Sequence, residues 1–477
     1  MPSAPARAPV RTSGESPLAS PLPRRAARHV SLSEVLSALS RALDLTEGQP
    51  AGHTLGACLI AMRLADQVGL GVDDRTSLYY ALLLKDAGCS SNAARMAALF
   101  GSPDQDAKRG MKLPDWDRRL SLALHTARNA GIGRPLRERV RHFLEIARTP
   151  DVTRDLIRIR CDRGAAVVAG LGFPAAAAEA VRALDEHWNG GGYPDGRRGD
   201  EIPILSRIAL LAQTVEIFHR TFGRAAALRM ARERRGTWFD PALVDAVLAW
   251  AGDGAWWLSL SSPELEQRVV AAEPGSQPRV LDDAGLDAVC ASFAEIIDAK
   301  SPFTYRHSAN VAAYADGTAG VMGRGAGVQR RLRRAGLLHD VGKLGVSSRT
   351  LDKQGPLDPE ERRLMERHPA FSWEVLSRVG AFQDFAWTAA LHHEKLDGSG
   401  YPWGFGAAEL DDDARVLVVA DIYEALTADR PYRAGMTPDA AFAILARDAG
   451  TRLCARAVDG LREWLRAGGG PTVPTGA

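Results

Sequence analysis

Apolar residues recur at helical spacing along most of the chain. The first such run contains Leu32, Val35, Leu36, Leu39 and Leu43, and Ser31 can cap its start. Apolar residues also dominate 203–222 and 414–426, again with helical rather than two-residue spacing. The pattern contains no convincing alternating strands. These features predict an all-α protein.

The chain also repeats itself. The stretch EHWNGGGYPDG, which begins at Glu186, resembles HHEKLDGSGYPWG, which begins at His392. The interval 53–85 spans 32 positions, as does 307–339, and 193–207 spans 14 positions, as does 401–415. The offset between the halves is 254 before and 208 after an insertion of about 46 residues in the first half, between Cys89 and Cys161. Matched spacings on both sides of one insertion indicate a duplicated domain.

Composition limits the cellular setting. The 477 residues, 45% hydrophobic and 25% charged, are typical of a globular protein with two domains. A net charge of +2 gives no general attraction to nucleic acid, and the longest uncharged run, 164–178, is too short to cross a bilayer. Five scattered cysteines form neither a disulfide framework nor a CxxC zinc motif. We therefore expect a cytoplasmic protein with no membrane and no nucleic-acid partner.

Histidines and carboxylates cluster in motifs of the second half. Five of the eleven histidines lie after residue 281, His339 is followed directly by Asp340, and Asp421 lies in an apolar helical run. Imidazole and carboxylate together are ligands for borderline divalent ions, and neighbouring pairs can serve two adjacent ions. Two cations about 3.5–4 Å apart can activate water and neutralise the charge of a phosphodiester, so no protein nucleophile is required.

These segments carry a family resemblance. Residues 282–447 resemble an HD-GYP domain, the phosphodiesterase branch of the HD superfamily, through the motifs KSPFTYRHS, LLHDVGKLG, ERHPAFSWEVL, HHEKLDGSGYP and ADIYEALTADRPYR. The resemblance implies a five-helix metal core with extra helices, two or three metal ions, and hydrolysis of cyclic dinucleotides, chiefly cyclic di-GMP.

The resemblance also implies the ligands of the metal ions. Carried over to this sequence they are His307, His339, Asp340, His368, His392, His393 and Asp421. Asp340 would bridge the ions and is expected to be catalytic. Some members hold a third ion with a carboxylate at the position of Phe303, which cannot ligate, so we expect two divalent ions, Fe or Mn.

Further residues are expected to contact the substrate. Lys343 places an ammonium one turn beyond the His-Asp pair, where it can contact a phosphate or protonate the leaving group; the alternative is a solvated lysine. Gly398 and Gly400 would allow positive φ, and Pro402 would stiffen the turn. Tyr401 either stacks on a guanine or packs internally. By resemblance Arg430 and Arg433 contact the substrate, the alternative being a surface pair.

The first half keeps the pattern and loses the ligands. The 254 offset aligns His339 with Lys85 and Lys343 with Cys89, and the 208 offset aligns the 392–393 pair with Leu184 and Asp185 and Asp421 with Gln213. His368 is paired with Cys161, 207 positions earlier. Only His53 and Asp86 remain, too few for two ions, although Gly190, Gly192, Tyr193 and Pro194 are retained. We predict a degenerate domain, regulatory, dimerising or merely packing, in which Cys89 and Cys161 could approach each other as a redox or residual metal site. His125, His142 and His219 are interpreted as ordinary helix residues.

The predicted organisation has five parts. These are a disordered, basic, proline-rich tail (1–30), the degenerate HD-like domain (31–252), a linker (253–281), the HD-GYP domain (282–468) and a flexible tail (469–477).

The leading functional hypothesis is a metal-dependent phosphodiesterase that converts cyclic di-GMP to linear pGpG, GMP or both. One alternative keeps the metal site but uses another cyclic dinucleotide, such as cyclic GMP-AMP, or another nucleotide. The other is a non-catalytic adaptor that binds diguanylate cyclases. A homodimer is also considered.

Overall fold

A computed structural model of the chain describes residues 30–111, 113–114, 135–148, 150–429 and 434–471. Within these residues the fold is helical, as predicted, apart from one short pair of strands, Val30–Ser31 and Val280–Leu281, which pair antiparallel. None of the helices in the described part of the chain has the length and apolar character needed to cross a bilayer. Of the predicted tail 1–30, residues 1–29 lie outside the described residues and Val30 belongs to the first strand.

Most helices of the first half share one core, whereas Ala93–Phe100 and Asp104–Met111 bury Met96, Phe100 and Ala107 in a smaller separate cluster. The helices of this half are Leu32–Thr46, His53–Gln67, Val72–Leu84, Ala93–Phe100, Asp104–Met111, Leu136–Arg148, Pro150–Gly170, Ala175–Arg182, Ile204–Phe222, Arg224–Glu233 and Pro241–Leu248. The helices His53–Gln67 and Ile204–Phe222 pack directly on each other. Ile208, Leu211 and Val215 of the latter are fully buried, which explains the helical spacing of apolar residues in 203–222.

The second half repeats this arrangement. Its helices are Asp283–Asp298, His307–Val321, Ala326–Leu338, Ser348–Leu351, Pro359–Met365, His368–Leu376, Ala386–Ala390, Asp412–Thr427, Pro438–Asp448 and Ala455–Arg466. Short 3₁₀ helices lie at Cys89–Asn92, Gly199–Glu201, Val341–Gly345 and Gly380–Phe382. His307–Val321 packs against both Ala326–Leu338 and Asp412–Thr427, so these three helices form the frame of the domain.

Helix starts follow from local chemistry. The Asp282, Asp411 and Thr437 side chains each accept a hydrogen bond from a backbone N–H of the first turn, which caps the helix that follows. Ser31 is an exception to the prediction. The first helix begins after it, but its hydroxyl is hydrogen-bonded to the hydroxyl of Ser33 at 2.6 Å and caps no backbone N–H.

The segment expected to be a linker is largely folded. It contains the helices Gly254–Ser259 and Leu265–Ala271, and the second of these packs on the first helix of the chain. Trp257 is buried and donates its indole N–H to the carbonyl of Trp250. Glycine, proline and serine occur together in 274–278, and the residues before them are held by apolar contacts.

Candidate metal centre

Five helices bring the predicted ligands together. His307 and His368 begin helices, the 339–340 pair follows the end of Ala326–Leu338, the 392–393 pair follows Ala386–Ala390, and Asp421 lies within Asp412–Thr427. Six of the seven side chains are buried, and only His393 is partly exposed. All seven meet in one place although up to 114 positions separate them in the chain.

Asp340 lies between two groups of histidines. Its Oδ2 atom is 3.4 Å from Nε2 of His307 and 3.3 Å from Nε2 of His339. Its Oδ1 atom is 3.3 Å from Nε2 of His368 and 3.6 Å from Nε2 of His392. One carboxylate therefore faces both groups, each with a different oxygen.

Asp421 spans the same two groups from the other side. Its Oδ1 atom is 3.4 Å from Nε2 of His307, and its Oδ2 atom is 3.7 Å from Nδ1 of His393. The ligand atoms of His307, His339 and Asp421 all lie within 4.8 Å of one another, as do those of His368, His392 and His393. The arrangement provides two neighbouring donor groups that share carboxylates.

The hydrogen bonds on the far side of the rings fix how the histidines are protonated. The Nδ1 atoms of His339, His368 and His392 each lie 2.7 Å from a backbone carbonyl three residues earlier, so each must donate there. Their Nε2 lone pairs then point into the site. The orientation of each proton is inferred from this network.

This arrangement fits divalent cations. The Nε2 atoms of His307 and His339 are 3.2 Å apart, and those of His368 and His392 are 3.0 Å apart. The lone pairs of His368 and His392 repel each other at that distance, and Asp340 Oδ1 has no hydrogen-bond partner within the described residues. Two nitrogens that ligate one ion at about 2.0–2.1 Å are themselves about 3 Å apart, so the spacing is that of a ligand set.

Burial shapes the electrostatics of the site. It lowers the pKa of His392 to about 4 and lowers those of His368 and His393, which keeps these rings in the neutral form that binds metal. Burial would raise the pKa of Asp340, but His339 and Lys343 outweigh it and hold that pKa well below its usual value. Burial would also lower the pKa of His307, but Asp340 and Glu424 raise it to about 10.

Glu424 is a site residue that the sequence patterns did not reveal. It is buried one turn after Asp421, and its carboxylate accepts a hydrogen bond from Nδ1 of His307 and one from the amide of Asn310 at 3.3 Å. It therefore orients the His307 ring, as a carboxylate behind a ligating histidine does. The i, i+3 spacing of Asp421 and Glu424 was the available signal. The first domain keeps the histidine–glutamate pair, since Glu216 contacts Nδ1 of His53.

The backbone just before the helix His307–Val321 has the same conformation as the backbone before the corresponding helix of the first domain, His53–Gln67. Arg306 has φ 59, in the left-handed region, and is the one described non-glycine residue with positive φ. The corresponding residue of the first domain is Gly52, with φ 91. Asp298 accepts from the backbone and hydroxyl of Ser308, as Asp44 does from Thr54.

Lys343 lies at the edge of the donor cluster. Its Nζ atom is 2.5 Å from Oδ2 of Asp340, and 21% of its side chain is exposed. The ammonium is thus oriented by the carboxylate that faces both histidine groups while it remains accessible from solvent.

The Gly-Tyr-Pro turn is partly as expected. Gly398 has φ 74, as predicted, but Gly400 does not have positive φ, so that expectation was wrong. A β-carbon on Gly400 would lie 2.6 Å from the carbonyl oxygen of His393 and 2.4 Å from Cα of Glu394, so glycine is required there for close approach. Tyr401, which Pro402 follows, packs its ring against His393, with centroids 4.7 Å apart. Arg430 and Arg433 lie outside the described residues.

Glu394 holds this turn in place. Its carboxylate accepts hydrogen bonds from the backbone N–H groups of Trp403 and Phe405 at 2.8 and 2.9 Å. Glu186 does the same for Asp195 and Arg197 in the first domain. In both halves, therefore, a buried carboxylate holds the backbone of the turn in place by accepting its hydrogen bonds.

The first domain places protein cations where the second places ligands. Lys85, at the position of His339, forms a buried ion pair with Asp86. A β-carbon on Gly342 would meet the carbonyl oxygen of His368 at 2.0 Å, and one on Gly88 would meet that of Arg160 at 1.9 Å. Arg160 rather than Cys161 is therefore the equivalent of His368, which corrects the alignment made from the sequence.

The charges in this degenerate site are compensated internally. The Arg160 guanidinium pairs with Asp185, which stands at the position of His393. Glu47, Asp86 and Cys89 bring oxygen and sulfur atoms within 4.8 Å of one another, but Lys108 lies 3.7 Å from the Glu47 carboxylate. Cys89 and Cys161 are free thiols, and burial raises the pKa of each. Of the other histidines, His142 and His219 contact backbone carbonyls, and His125 lies outside the described residues.

Comparisons with known proteins agree with the duplication. A family profile described as HD domain matches residues 78–243 and again residues 291–456. The 3'3'-cGAMP-specific phosphodiesterase 3 of Vibrio cholerae is 42% identical over 416 residues, which are 87% of this chain and 90% of that protein. The Cyclic di-GMP phosphodiesterase response regulator RpfG of Xanthomonas campestris is 40% identical over 136 residues, 28% of this chain and 35% of that protein.

A solved structure matches the whole arrangement. The crystal structure of a cyclic GMP-AMP specific phosphodiesterase of V. cholerae, V-cGAP3, covers 92% of this chain and 98% of its own, with a TM-score of 0.63 and 36% identity. Together with the two family matches, it confirms the tandem helical fold and the resemblance recognised from the motifs. The chain is a member of the HD domain family, a tandem-domain enzyme of its HD-GYP phosphodiesterase branch.

Proposed function

We propose that the second domain hydrolyses 3'3'-cGAMP with a pair of divalent ions held by His307, His339, Asp340, His368, His392, His393 and Asp421. One observation carries the proposal: Asp340 directs one oxygen toward each histidine group, at 3.3–3.6 Å. A carboxylate in this position could contribute one oxygen atom to each of two ions. When bound, the ions would activate water and offset the charge of the phosphodiester.

The surrounding side chains prepare this chemistry. The backbone carbonyls behind His339, His368 and His392 hold each Nε2 atom toward the interior, and Glu424 does this for His307. Lys343 remains on the accessible side, where its ammonium can contact a phosphate oxygen or pass a proton to the leaving alkoxide. We assign it that catalytic role together with Asp340.

The substrate is proposed from the extent of similarity. The V. cholerae enzyme named for 3'3'-cGAMP aligns with 87% of this chain, both domains included, whereas the cyclic di-GMP phosphodiesterase of X. campestris aligns with 28%. Cyclic di-GMP, the substrate predicted from the sequence, is therefore the second candidate. Iron or manganese, the cytoplasmic location, the diguanylate cyclase partners and a homodimer stay predictions.

A substrate panel tests the proposal. Anaerobically purified protein loaded with Mn or Fe is incubated with 3'3'-cGAMP, cyclic di-GMP and cyclic di-AMP, and products are separated by chromatography. We expect kcat/KM for 3'3'-cGAMP to exceed that for cyclic di-GMP by at least about tenfold. Faster hydrolysis of cyclic di-GMP would overturn the proposed substrate.

The panel also separates the adaptor alternative. Metal-loaded protein that binds a cyclic dinucleotide without cleaving it, while His339→Ala and Asp340→Ala variants keep their biological output, would favour the adaptor over the enzyme. Loss of turnover in His392→Ala, with the fold intact, would support the proposed centre.

A further inference from the structure

The inserted segment of the first domain contacts the catalytic domain through two helices. Ala93–Phe100 packs on Ser348–Leu351, and Asp104–Met111, here called the bridging helix, makes the polar contacts. The carboxyl-terminal part of the bridging helix is fixed to the first domain. Lys108 donates to the carbonyl of Cys89 at 2.6 Å and Arg109 to that of Gly48 at 2.5 Å. Gly48, with φ 63, permits this approach, because a β-carbon there would lie 2.6 Å from the carbonyl oxygen of Gln105.

The other end of the bridging helix contacts the catalytic domain. Asp104 Oδ2 is 2.8 Å from Nζ of Lys300, and its Oδ1 accepts a hydrogen bond from the backbone N–H of Ser348 at 2.8 Å. Asp104 is fully buried and Lys300 nearly so, so the ion pair is shielded from water. The next residue, Gln105, donates its side-chain amide to the carbonyls of Leu344 and Leu45, at 3.3 and 3.2 Å.

These contacts fall on the two segments that lead to the metal centre. Lys300 lies seven residues before His307, and Ser348 lies eight residues after Asp340. Leu344 is part of Val341–Gly345, the 3₁₀ helix that also carries Lys343 and is here called the catalytic loop. One carboxylate thus ties both segments together from outside their own domain.

The first helix of the chain supports the same loop. Leu32–Thr46 packs against both the catalytic loop and the helix His368–Leu376. A β-carbon on Gly345 would lie 3.4 Å from Leu45, an ordinary contact distance. The apolar face of the first domain and the polar contacts of the bridging helix therefore act on the same short stretch of chain.

We propose that Asp104 and Gln105 are positioning residues for the phosphodiester hydrolysis: through Ser348 and Leu344 they hold the catalytic loop so that Asp340 and Lys343 keep their places. The degenerate domain then contributes to the reaction as a brace for the active domain. This inference rests on the proposed function of that site.

Two double variants separate positioning from stability. Asp104→Asn with Lys300→Met removes both buried charges and keeps an acceptor for the Ser348 N–H. Asp104→Ala with Lys300→Met also removes both charges but loses that acceptor. Lys108, a third buried charge beside Asp104, keeps the Glu47 carboxylate at 3.7 Å in both variants. We therefore expect both proteins to fold with similar melting temperatures.

The readouts are kcat, KM and amide hydrogen exchange. We expect the alanine double variant to lose at least about tenfold in kcat with little change in KM, and to exchange faster over residues 341–348, while the asparagine double variant stays near wild type. Asp106→Asn, an exposed carboxylate on the same helix, is the matched control and should change neither.

Equal kcat and equal exchange in the two double variants would overturn the positioning role. If the wild type hydrolyses no cyclic dinucleotide, the proposed function fails, and hydrogen exchange over 341–348 still decides whether Asp104 orders the loop.

Discussion

Substitution of Gly342 by alanine should push His368 away from Asp340 and so disrupt the metal centre. Gly342 lies where the chain after Asp340 crosses the helix that begins with His368. A β-carbon there would lie 2.0 Å from the carbonyl oxygen of His368 and 2.8 Å from the nitrogen of Ser372. Both neighbours are backbone atoms, so no side-chain rotation relieves the clash. Reaching even 3.0 Å from the oxygen requires a displacement of about 1 Å, which a packed interior resists.

That displacement is large on the scale of coordination chemistry. Metal–ligand distances tolerate deviations of about 0.2 Å, and a misplacement of about 1 Å can cost roughly a hundredfold in rate. Nε2 of His368 and Oδ1 of Asp340 are 3.3 Å apart across this crossing. The displacement would therefore change the distance between two of the proposed ligand atoms. We expect Gly342→Ala to lose at least one ion per chain and to fall about a hundredfold in kcat.

The assay combines metal analysis with turnover of 3'3'-cGAMP. Gly327→Ala is the control, because among the described residues no neighbouring atom lies within 4 Å of its added β-carbon, and its helix gains a favourable residue. Gly88→Ala creates the same clash in the first domain, at 1.9 Å from the Arg160 carbonyl oxygen, and should destabilise the protein without removing metal. Full metal content and wild-type kcat in Gly342→Ala would refute the reasoning.

Three further substitutions test other parts of the account. Glu424→Gln should weaken metal affinity about 10–100-fold in a metal titration, because the His307 ring loses its orienting carboxylate, whereas Glu216→Gln should leave affinity unchanged; equal effects would contradict the assignment of the centre. Lys343→Met should lower kcat about a hundredfold and retain both ions in metal analysis, and an unchanged kcat would make it a solvated lysine. Lys85→Met removes the ammonium beside buried Asp86 and should lower the free energy of unfolding by about 3–5 kcal/mol in denaturant titrations, and a change near zero would show that the pair is not needed.

The meeting of the donor residues could be predicted because each is a histidine or carboxylate within a recognisable motif. The matched intervals in the two halves indicated a repeated helical fold. The structure brings His307, His339, Asp340, His368 and Asp421 together, as well as the 392–393 pair.

What escaped prediction depends on contacts between distant residues. Asp104 and Lys300 are 196 positions apart. Lys300 opens the motif KSPFTYRHS, but Asp104 lies in none of the motifs, so the pattern gave Lys300 no partner. Glu424 lies one turn after Asp421 in the same helix, but its role depends on the contact with His307, 117 positions earlier, which the local spacing does not reveal. The pairing of His368 with Cys161 was wrong by one residue, since the 208 offset leads to Arg160, and the crossing of Gly88 with Arg160 shows that this offset holds here.

Backbone roles were the least predictable. Gly400 was expected to adopt positive φ, but its glycine is required by the approach of the His393 carbonyl. The two glycines of this turn therefore have different roles, since Gly398 does adopt positive φ. The segment 253–281 folds because Trp257 and Val269 are buried in the apolar core. The sequence of the segment alone does not show that such a surface is available to it.

Metal stoichiometry tests the central claim most directly. Protein purified without oxygen and loaded with Mn or Fe is dialysed and analysed for ions per chain, alongside His392→Ala and, as a control histidine outside the site, His219→Ala. The account predicts two ions per chain in the wild type and in His219→Ala, and one or none in His392→Ala together with loss of 3'3'-cGAMP hydrolysis. An ion-free, inactive wild type, or a His392→Ala variant that keeps both ions and its activity, would contradict it.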